Sequence, residues 1–368
     1  MSQLIKPLIS IGAGPMQLPL IQAARKRGIP VIAVDRSPHP DCSTIGVTTI
    51  ECSTYDSEKA ITLLRKELGE DKPLGLLART SGPAIMTAGL VCQEFNLTSL
   101  SPQLARASFE KSTLRTDCEA LGIPVPTGTS FENIHDLTPD WGDLVFKPDI
   151  SLRGKENVYC PADEIQAGAF FDNAKEESPN RRVEVQQYIT GADVGVMVVC
   201  CAHKRIHSLF LDEWVTLLEG KFHGVGVAVP SVHEGTKTPK KIISIIDRLL
   251  AHWNVTSGII FFTFRVDSKG TPWLYEVNPG LCGDSIVDLL LPAALGNSYP
   301  DLYDVEVSLA AGEKPTLPQE AIENYAVIEG KLLPTHKALH QLCEHTKYND
   351  LIKRLRLFTT LPTKDVQP

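Results

Sequence analysis

No window of the 368-residue chain approaches the roughly 18 consecutive apolar residues of a membrane-spanning helix, so no membrane association is expected. The opening MSQLIKPLISIGAG also lacks the apolar core and small-residue cleavage site of a secretory leader. Positive charge is in short supply. Lys and Arg number 36 against 44 Asp and Glu, a formal net charge of −8, which argues against nucleic acid as a partner and still allows a local basic pocket for a phosphorylated ligand. The nine cysteines are odd in number and scattered, with no CxxC pair, so they read as reduced thiols of a cytoplasmic protein. In THKALHQLCEH, His336 and His340 lie four apart with Cys343 and His345 behind them, but no second cluster closes a zinc site, and a polar helix face is the commoner outcome. Internal repeats and low-complexity tracts are absent from the sequence.

What is present begins as a βαβ unit. Leu8 to Ile11 is a short apolar run, Gly12-Ala13-Gly14 a turn, Leu18 to Arg27 an amphipathic helix, and Val31 to Val34 a second apolar run ending in Asp35. Gly12, Gly14 and Asp35 form part of a dinucleotide fingerprint, but Gln17 stands where its third glycine belongs. Leu74 to Ala78 and Ala84 to Phe95 make a further strand and helix, and Ser101 to Leu121 reads as helical up to the Gly122-Ile123-Pro124-Val125-Pro126 break. From Leu144 onward strands dominate: Leu144 to Lys147, Arg182 to Tyr188, Val194 to Ala202, Ile206 to Leu211, Gly258 to Val266 and Trp273 to Asn278, with a helix over Pro239 to Trp253. A chain of this length exceeds one core, so two or three packed subdomains are expected.

The most informative strand is WLYEVNPG, 273 to 280. Side chains alternate along a strand, so Glu276 and Asn278 share one face while Tyr275 and Val277 share the other. Two hard oxygen donors about 7 Å apart suit a small divalent cation that also holds phosphate oxygens. A solvated polar strand end is the competing reading of the fragment taken alone.

In chain order, Lys111, then LVFKPDISLRGKENV, VEVQQYITGAD and FFTFRVDSKGTPWLYEVNPGLCGD resemble the ATP-grasp superfamily over roughly residues 4 to 312. The resemblance implies an α/β protein with a Rossmann-like parallel-sheet (pre-ATP-grasp) domain over 1–100 and an ATP-grasp domain over 101–312. The latter would divide into a small α+β lid at about 124–188 and a C-terminal antiparallel sheet, and a helical extension would cover 313–368. It also implies that Lys111 and Lys147 hold ATP phosphates and that a loop containing Ser151 and Gly154 closes over them. Gln186, Gln187, Tyr188 and Ile189 would meet adenine, and Asp193 the ribose. Glu276 and Asn278 would hold Mg2+. If 268–270 is a hairpin turn, Glu276 lies opposite Phe262 or Thr263, which makes Thr263 a candidate third ligand, with water or Asp284 as substitutes. Two departures from the family pattern matter. Gln186 and Gln187 replace the usual glutamate, and Gly280 stands where the family has an arginine that steadies an acyl-phosphate oxygen. Arg265 is the first choice to replace it and Arg153 the second, with an Arg265 to Asp267 ion pair as the structural alternative.

The expected function is an ATP-dependent carboxylate-amine ligase forming an amide or peptide-like bond through an acyl phosphate. The amino-acid-ligase and carbamoyl-phosphate-synthase-like branch fits best. The partners are then ATP and small-molecule acid and amine substrates, with a homodimer left open. Arg79 and Ser81, beyond the third apolar strand, and Glu213 and His223 are the candidate substrate contacts. A non-catalytic ATP-binding protein and an NAD-dependent oxidoreductase using Gly12, Gly14 and Asp35 are the rivals.

Overall fold

The computed structural model describes residues 6–137, 143–151, 157–283, 286–295, 300–317 and 327–330. Its first layer is a parallel sheet. Strands β1 (Leu8–Ile11), β2 (Val31–Asp35), β3 (Thr48–Glu51) and β4 (Gly75–Leu77) lie in the order β3-β2-β1-β4. They alternate with helices α1 (Leu18–Lys26), α2 (Asp41–Thr44) and α3 (Ser57–Leu68), and α4 (Pro83–Phe95) follows. Strands β1 and β4 are buried along their whole length, as continuous apolar runs covered on both faces should be. The β3 strand and α3 helix escape the apolar-run pattern. In β3 only Ile50 is buried, because it is the sheet edge and its threonines face water.

The expected helix over Ser101 to Leu121 is two helices, α5 (Pro102–Phe109) and α6 (Lys111–Ala120). Glu110 between them is extended, with φ −104° and ψ 115°, and forms a bridge with Ile150. Helix propensity yields here to a tertiary contact. The Lys111 amide donates to the Asp149 carbonyl at 2.9 Å, and the Ser112 amide to Asp149 Oδ1 at 2.9 Å. Lys111 therefore opens a helix instead of lying inside one, pinned to the end of the strand that carries Lys147.

A small α+β unit follows. Strands β5 (Gly128–Phe131), β6 (Leu144–Pro148) and β7 (Val183–Gln187) form an antiparallel sheet in the order β5-β7-β6. Helix α7 (Glu164–Glu177) packs on it through its own core, in which Phe146 and Phe171 meet edge to face at 5.9 Å.

The largest layer is antiparallel: β8 (Ala192–Cys201), β9 (Lys204–Leu218), β10 (Lys221–Val229), β11 (Gly258–Val266), β12 (Pro272–Pro279) and β13 (Val327–Gly330), in the order β12-β11-β8-β9-β10-β13. Helix α8 (Thr238–His252) buries Ile242, Ile245, Ile246 and Leu249, the 3.6-residue stripe expected of a helix on a sheet. On the other side, Met197, Val199, Leu209 and Leu211 share a core with β1, α1 and α10 (Leu302–Ala310), which follows α9 (Leu291–Leu295). The β9–β10 hairpin extends to the small unit: the Cys160 amide donates to the Gly220 carbonyl at 2.8 Å, and Tyr159 bridges to Lys221. Residues 327–330 are a strand on β10 where the sequence suggests a helical extension; His336, His340, Cys343 and His345 lie outside the described residues. Among the described residues no helix is long and apolar enough to cross a membrane, and the eight described cysteines are free thiols.

Asp149 is 2% exposed, and its Oδ2 also accepts from Asn180 Nδ2 at 2.8 Å. Replacing it with alanine strands buried donors, so Asp149→Ala is expected to lose about 1–3 kcal/mol of stability, with Asp149→Asn closer to the parent. Chemical denaturation measures this. Equal midpoints for parent and Asp149→Ala would show that this carboxylate does not anchor α6.

Candidate active site

A cleft of about 150 Å³ opens where the small unit meets the large sheet, lined by Lys111, Lys147, Ser151, Gln186, Gln187, Tyr188, Ile189, Asp193, Arg265, Glu276 and Asn278. Residues more than 160 positions apart in the chain converge here. Arg153, Gly154 and Asp284 lie outside the described residues.

Lys147 faces Glu184 across β6 and β7. Its Nζ donates to Gln186 Oε1 at 2.9 Å, and Gln186 Nε2 donates to Glu184 Oε1 at 3.3 Å. Glu184 is fully buried and also accepts from Arg115 Nε and Ser130 Oγ, each at 2.6 Å. This chain of bonds fixes the lysine. It also engages the Gln186 amide oxygen, so any contact to a base falls to Gln187, Tyr188 and Ile189. The period-2 spacing of Glu184 and Gln186 in VEVQQ was a legible sign that both share the face of Lys147. Burial, and then the neighbouring Lys111 charge, push the Lys147 ammonium down to about 8; Glu276 and Glu184 offset part of this.

Arg265 does not pair with Asp267. Its Nε and Nη2 grip the two Asp193 carboxylate oxygens at 2.6 and 2.8 Å, and Nη1 donates to the Ile189 carbonyl at 3.3 Å. The two residues are opposite each other on β8 and β11, so the fork follows from register. The rings of Tyr188, Phe222 and Tyr275 lie 5.6, 5.8 and 5.7 Å from the guanidinium carbon. The acid assigned to ribose and the arginine assigned to phosphoryl transfer thus form one buried ion pair. Asp267 instead orders the hairpin turn, accepting from the Lys269 and Thr271 amides at 2.9 Å each and from Trp273 Nε1 at 3.0 Å.

The E-x-N strand departs from simple alternation. Thr263 pairs with Glu276 but Phe264 with Leu274, leaving Tyr275 as a bulge residue. Tyr275 therefore turns into the cleft beside Glu276 instead of joining Val277, and Lys147 Nζ lies 5.3 Å from its ring centroid. Asn278 lines the cleft with them, and Thr263 sits opposite Glu276 as the sequence register allows. Carboxylate, amide and hydroxyl oxygens are the hard donors that magnesium takes, and one carboxylate leaves positions for water and phosphate oxygens. Among the described residues no group of three His, Cys, Asp or Glu forms a dedicated metal cage.

Beyond Glu276 and Asn278 lies a second cavity, of about 780 Å³, walled by Met16, Gln17, Arg79, Thr80, Ser81, Glu213, Phe222, His223 and the 279–283 turn. All four sequence-proposed substrate residues line it. The Arg79 guanidinium, however, is largely engaged: Nη1 donates to the Met16 carbonyl at 3.3 Å and the Tyr303 hydroxyl at 2.5 Å, and Nη2 to the Cys282 carbonyl at 3.4 Å and Asp288 Oδ2 at 3.3 Å. Ser81 also lines the smaller cleft. Phe222 lines both spaces and was missed in the sequence because glycines and a histidine interrupt its strand.

The dinucleotide fingerprint is engaged by the protein itself. Gln17 Oε1 accepts from the Gly14 amide at 3.1 Å, while Asp35 accepts from the Ala13 and Ser37 amides at 2.7 Å each. Gly280 has φ +89°, and a Cβ there would lie 2.5 Å from the Ala78 carbonyl oxygen. Contact with Ala78, the residue after β4, closes this position to an arginine.

No family model and no curated protein matches the chain. Solved structures do. N5-carboxyaminoimidazole synthetase from Staphylococcus aureus, complexed with ADP, superposes with a TM-score of 0.68 at 16% identity over 95% of this chain and 86% of that one. L-amino acid ligase from Bacillus licheniformis gives 0.69 at 17% identity over 83% and 74%. The biotin carboxylase domain of Hydrogenobacter thermophilus 2-oxoglutarate carboxylase, a dimer in complex with MgADP, ADP and bicarbonate, gives 0.66 at 15% over 88% and 74%. The chain has the fold of the ATP-grasp ligases.

Because Gly280 needs both its backbone conformation and its missing side chain, Gly280→Ala is expected to cost about 1–3 kcal/mol and to displace the neighbouring Pro279 and Asn278. Thermal melting of the variant tests this. A melting temperature equal to the parent's would mean that the turn accommodates a side chain after all.

Proposed function

We propose that the protein is an ATP-dependent carboxylate-amine ligase. One observation carries this reading: two lysines and an E-x-N oxygen pair line the same cleft, and Glu276 and Asn278 also face a second cavity of substrate size. Lys111 and Lys147 bind the nucleotide phosphates, and Gln187, Tyr188 and Ile189 meet the base. Glu276 and Asn278, with the Thr263 hydroxyl beside them, would hold magnesium. When bound it supplies charge neutralisation between the phosphates and an incoming carboxylate.

The acid lies in the larger cavity with its carboxylate toward Glu276 and Asn278. Its oxygen bonds to the γ phosphorus as the β–γ bridging P–O bond breaks and ADP departs. The amine nitrogen then attacks the acyl carbon, the C–O bond to phosphate breaks, and the nitrogen loses its proton to water. Little of this asks for covalent help from the protein, whose work is positioning. Arg265 is kept as the positioning cation of the cleft, its charge balanced by Asp193. The fold shared with the MgADP-bound and ADP-bound enzymes and with an amino acid ligase supports the reading. The free thiols and the lack of a spanning helix among the described residues are consistent with a cytoplasmic enzyme. Gly280 favours one alternative, an ATP-binding protein without turnover, which ADP release separates from the ligase.

The buried lysine gives nucleotide binding a definite pH dependence. Bound phosphate favours the Lys147 ammonium, so its pKa rises in the complex, and affinity is full below about pH 8 and falls as pH rises through that value. Calorimetric titration of Mg·ATP from pH 7 to 9.5 is expected to show this decline in the parent and a flatter profile in Lys147→Arg. A parent profile with no slope above pH 8 would take Lys147 out of the phosphate site.

With ATP, magnesium and a competent acid, hydroxylamine should intercept the acyl phosphate as a hydroxamate. The signal should be lost in Glu276→Ala and in Asn278→Ala. AMP and pyrophosphate in place of ADP and phosphate would sink the acyl-phosphate route.

A further inference from the structure

We propose that Glu306 is a positioning residue for the E-x-N strand: its carboxyl, held as the neutral acid, takes the place of a backbone carbonyl at the end of the β11–β12 ladder, and ionising it loosens the turn behind Asn278. Its effect on magnesium rests on the ligase reading above; its effect on the strand end does not.

Strand β12 stops at Pro279, which pairs with Ile260, so Gly280 falls opposite Ile259. A bonded antiparallel pair exchanges two hydrogen bonds, each amide donating to the other's carbonyl. The Gly280 amide does donate to the Ile259 carbonyl, at 2.7 Å, but the Ile259 amide donates to Glu306 Oε2, at 3.2 Å. At Gly280 the backbone turns off, with φ +89°, beside the Ala78 carbonyl. A side chain from α10 therefore closes the ladder. Two consecutive hydrogen bonds, through Ile259, join the Glu306 carboxyl to the residue two beyond Asn278.

The surroundings exclude a charge. The carboxyl lies in a cavity of about 10 Å³ walled by Leu76, Ile85, Leu100 and Leu104 and by Ser99 and Ser257, room for about one water. Both hydroxyls are engaged: Ser99 Oγ accepts from the Leu76 amide at 2.9 Å, and Ser257 Oγ donates to the Leu309 carbonyl at 3.2 Å. Glu306 is 8% exposed and is the only titratable side chain among the described residues lining the cavity, to which Glu276, Asn278 and Thr263 do not contribute. Charged groups on the neighbouring elements are turned elsewhere. Arg27 of α1 bonds Ser308 and Glu313, Arg79 beyond β4 bonds Tyr303 and Asp288, Glu94 of α4 pairs with Arg65, Arg106 of α5 with Glu110, and Arg265 of β11 with Asp193. On α10 itself Tyr303 bonds Asp288, and Asp304 is exposed. A carboxylate with no cation and almost no water is costly, and the group stays protonated instead.

Burial lifts the Glu306 carboxyl to about 7, with the Ile259 amide offsetting part of the rise. In an opened or unfolded chain the value returns to about 4.3. The folded arrangement thus holds the proton more tightly, so the stabilisation from the neutral acid is complete below about 4.3 and is lost as pH rises through about 7. This window lies below the one set by Lys147 near 8.

The test follows amide hydrogen exchange at Ile259 and Gly280, corrected for its intrinsic pH dependence, and melting temperature from pH 5 to 8 in the full chain, in Glu306→Gln and in Glu306→Ala. Corrected exchange in the parent is expected to rise by up to about tenfold per pH unit between about 5 and 7 and then to level off. The parent's melting temperature should fall relative to that of Glu306→Gln over the same window. Glu306→Gln keeps an acceptor without a titrating proton and should show neither trend, while Glu306→Ala should exchange fast at every pH. In calorimetric titration with Mg·ADP at pH 6, Glu306→Ala should bind about threefold or more weaker than the parent, and Glu306→Gln should restore the affinity. Identical pH courses in the parent and Glu306→Gln, slow Ile259 exchange in a folded Glu306→Ala, or equal Mg·ADP affinity in the parent and Glu306→Ala would each overturn the assignment. If exchange and melting follow the expected course but the parent binds no Mg·ADP, the nucleotide and metal site of the ligase reading fails and Glu306 remains the residue that closes the ladder. Tight Mg·ADP binding with flat exchange profiles in the parent would do the reverse.

Discussion

Two ammonium groups held close together in a poorly solvated cleft are the constraint on which this structure turns. Like charges at short range repel more strongly as water is excluded, and a protein holds them together only by fixing each one from behind. Lys147 is fixed by the Gln186–Glu184–Arg115 chain of bonds. Lys111 is fixed through its backbone, because the Asp149 carbonyl and carboxylate hold the first turn of α6 against the end of the Lys147 strand. The break in the helix at Glu110, the bridge to Ile150 and the burial of Asp149 all serve that one placement. The repulsion that remains shows in the lowered Lys147 proton affinity. A polyanion in the cleft would relieve it.

Much of the site could be read from local sequence, where local rules govern. Apolar runs ending in glycine turns marked the parallel opening, and counting back from a turn put Glu276 opposite Phe262 or Thr263, of which the structure has Thr263. Features set by distant contacts were hidden. The Tyr275 bulge depends on how β12 settles against β11, and a one-residue slip re-aims a side chain without altering any local propensity. The fork between Asp193 and Arg265 joins positions that only sheet register makes neighbours. The edge strand β3 and the glycine-interrupted β10 carry too little apolar periodicity to be seen, although β10 supplies a wall to both cavities.

Gly280 shows how one backbone contact redistributes charge. Ala78, just past β4, lies so close to the turn after Asn278 that no side chain fits, and the oxygen pair is followed by a glycine turn whose amide donates to the Ile259 carbonyl at 2.7 Å. A guanidinium reaches that turn from Arg79, two residues beyond the end of β4, and donates to the Cys282 carbonyl. Where the resemblance would place a cation on the turn itself, the cation beside this turn follows the last strand of the parallel sheet. The N-terminal domain thereby becomes part of the larger cavity's wall.

The contact between the tip of the β9–β10 hairpin and the small unit has a consequence for binding. Gly220 is bonded to Cys160 at the tip, while Phe222 and Gly224, two and four residues on, wall the cavities. A rigid ribbon that touches a cover at one end and a ligand along its length acts as a lever. In the proposed ligase, displacing the small unit would bend the same strand that walls the second cavity, which couples the two compartments. By reciprocity, a second ligand that favours a stiffened ribbon would raise nucleotide affinity by the same free energy by which nucleotide raises its own.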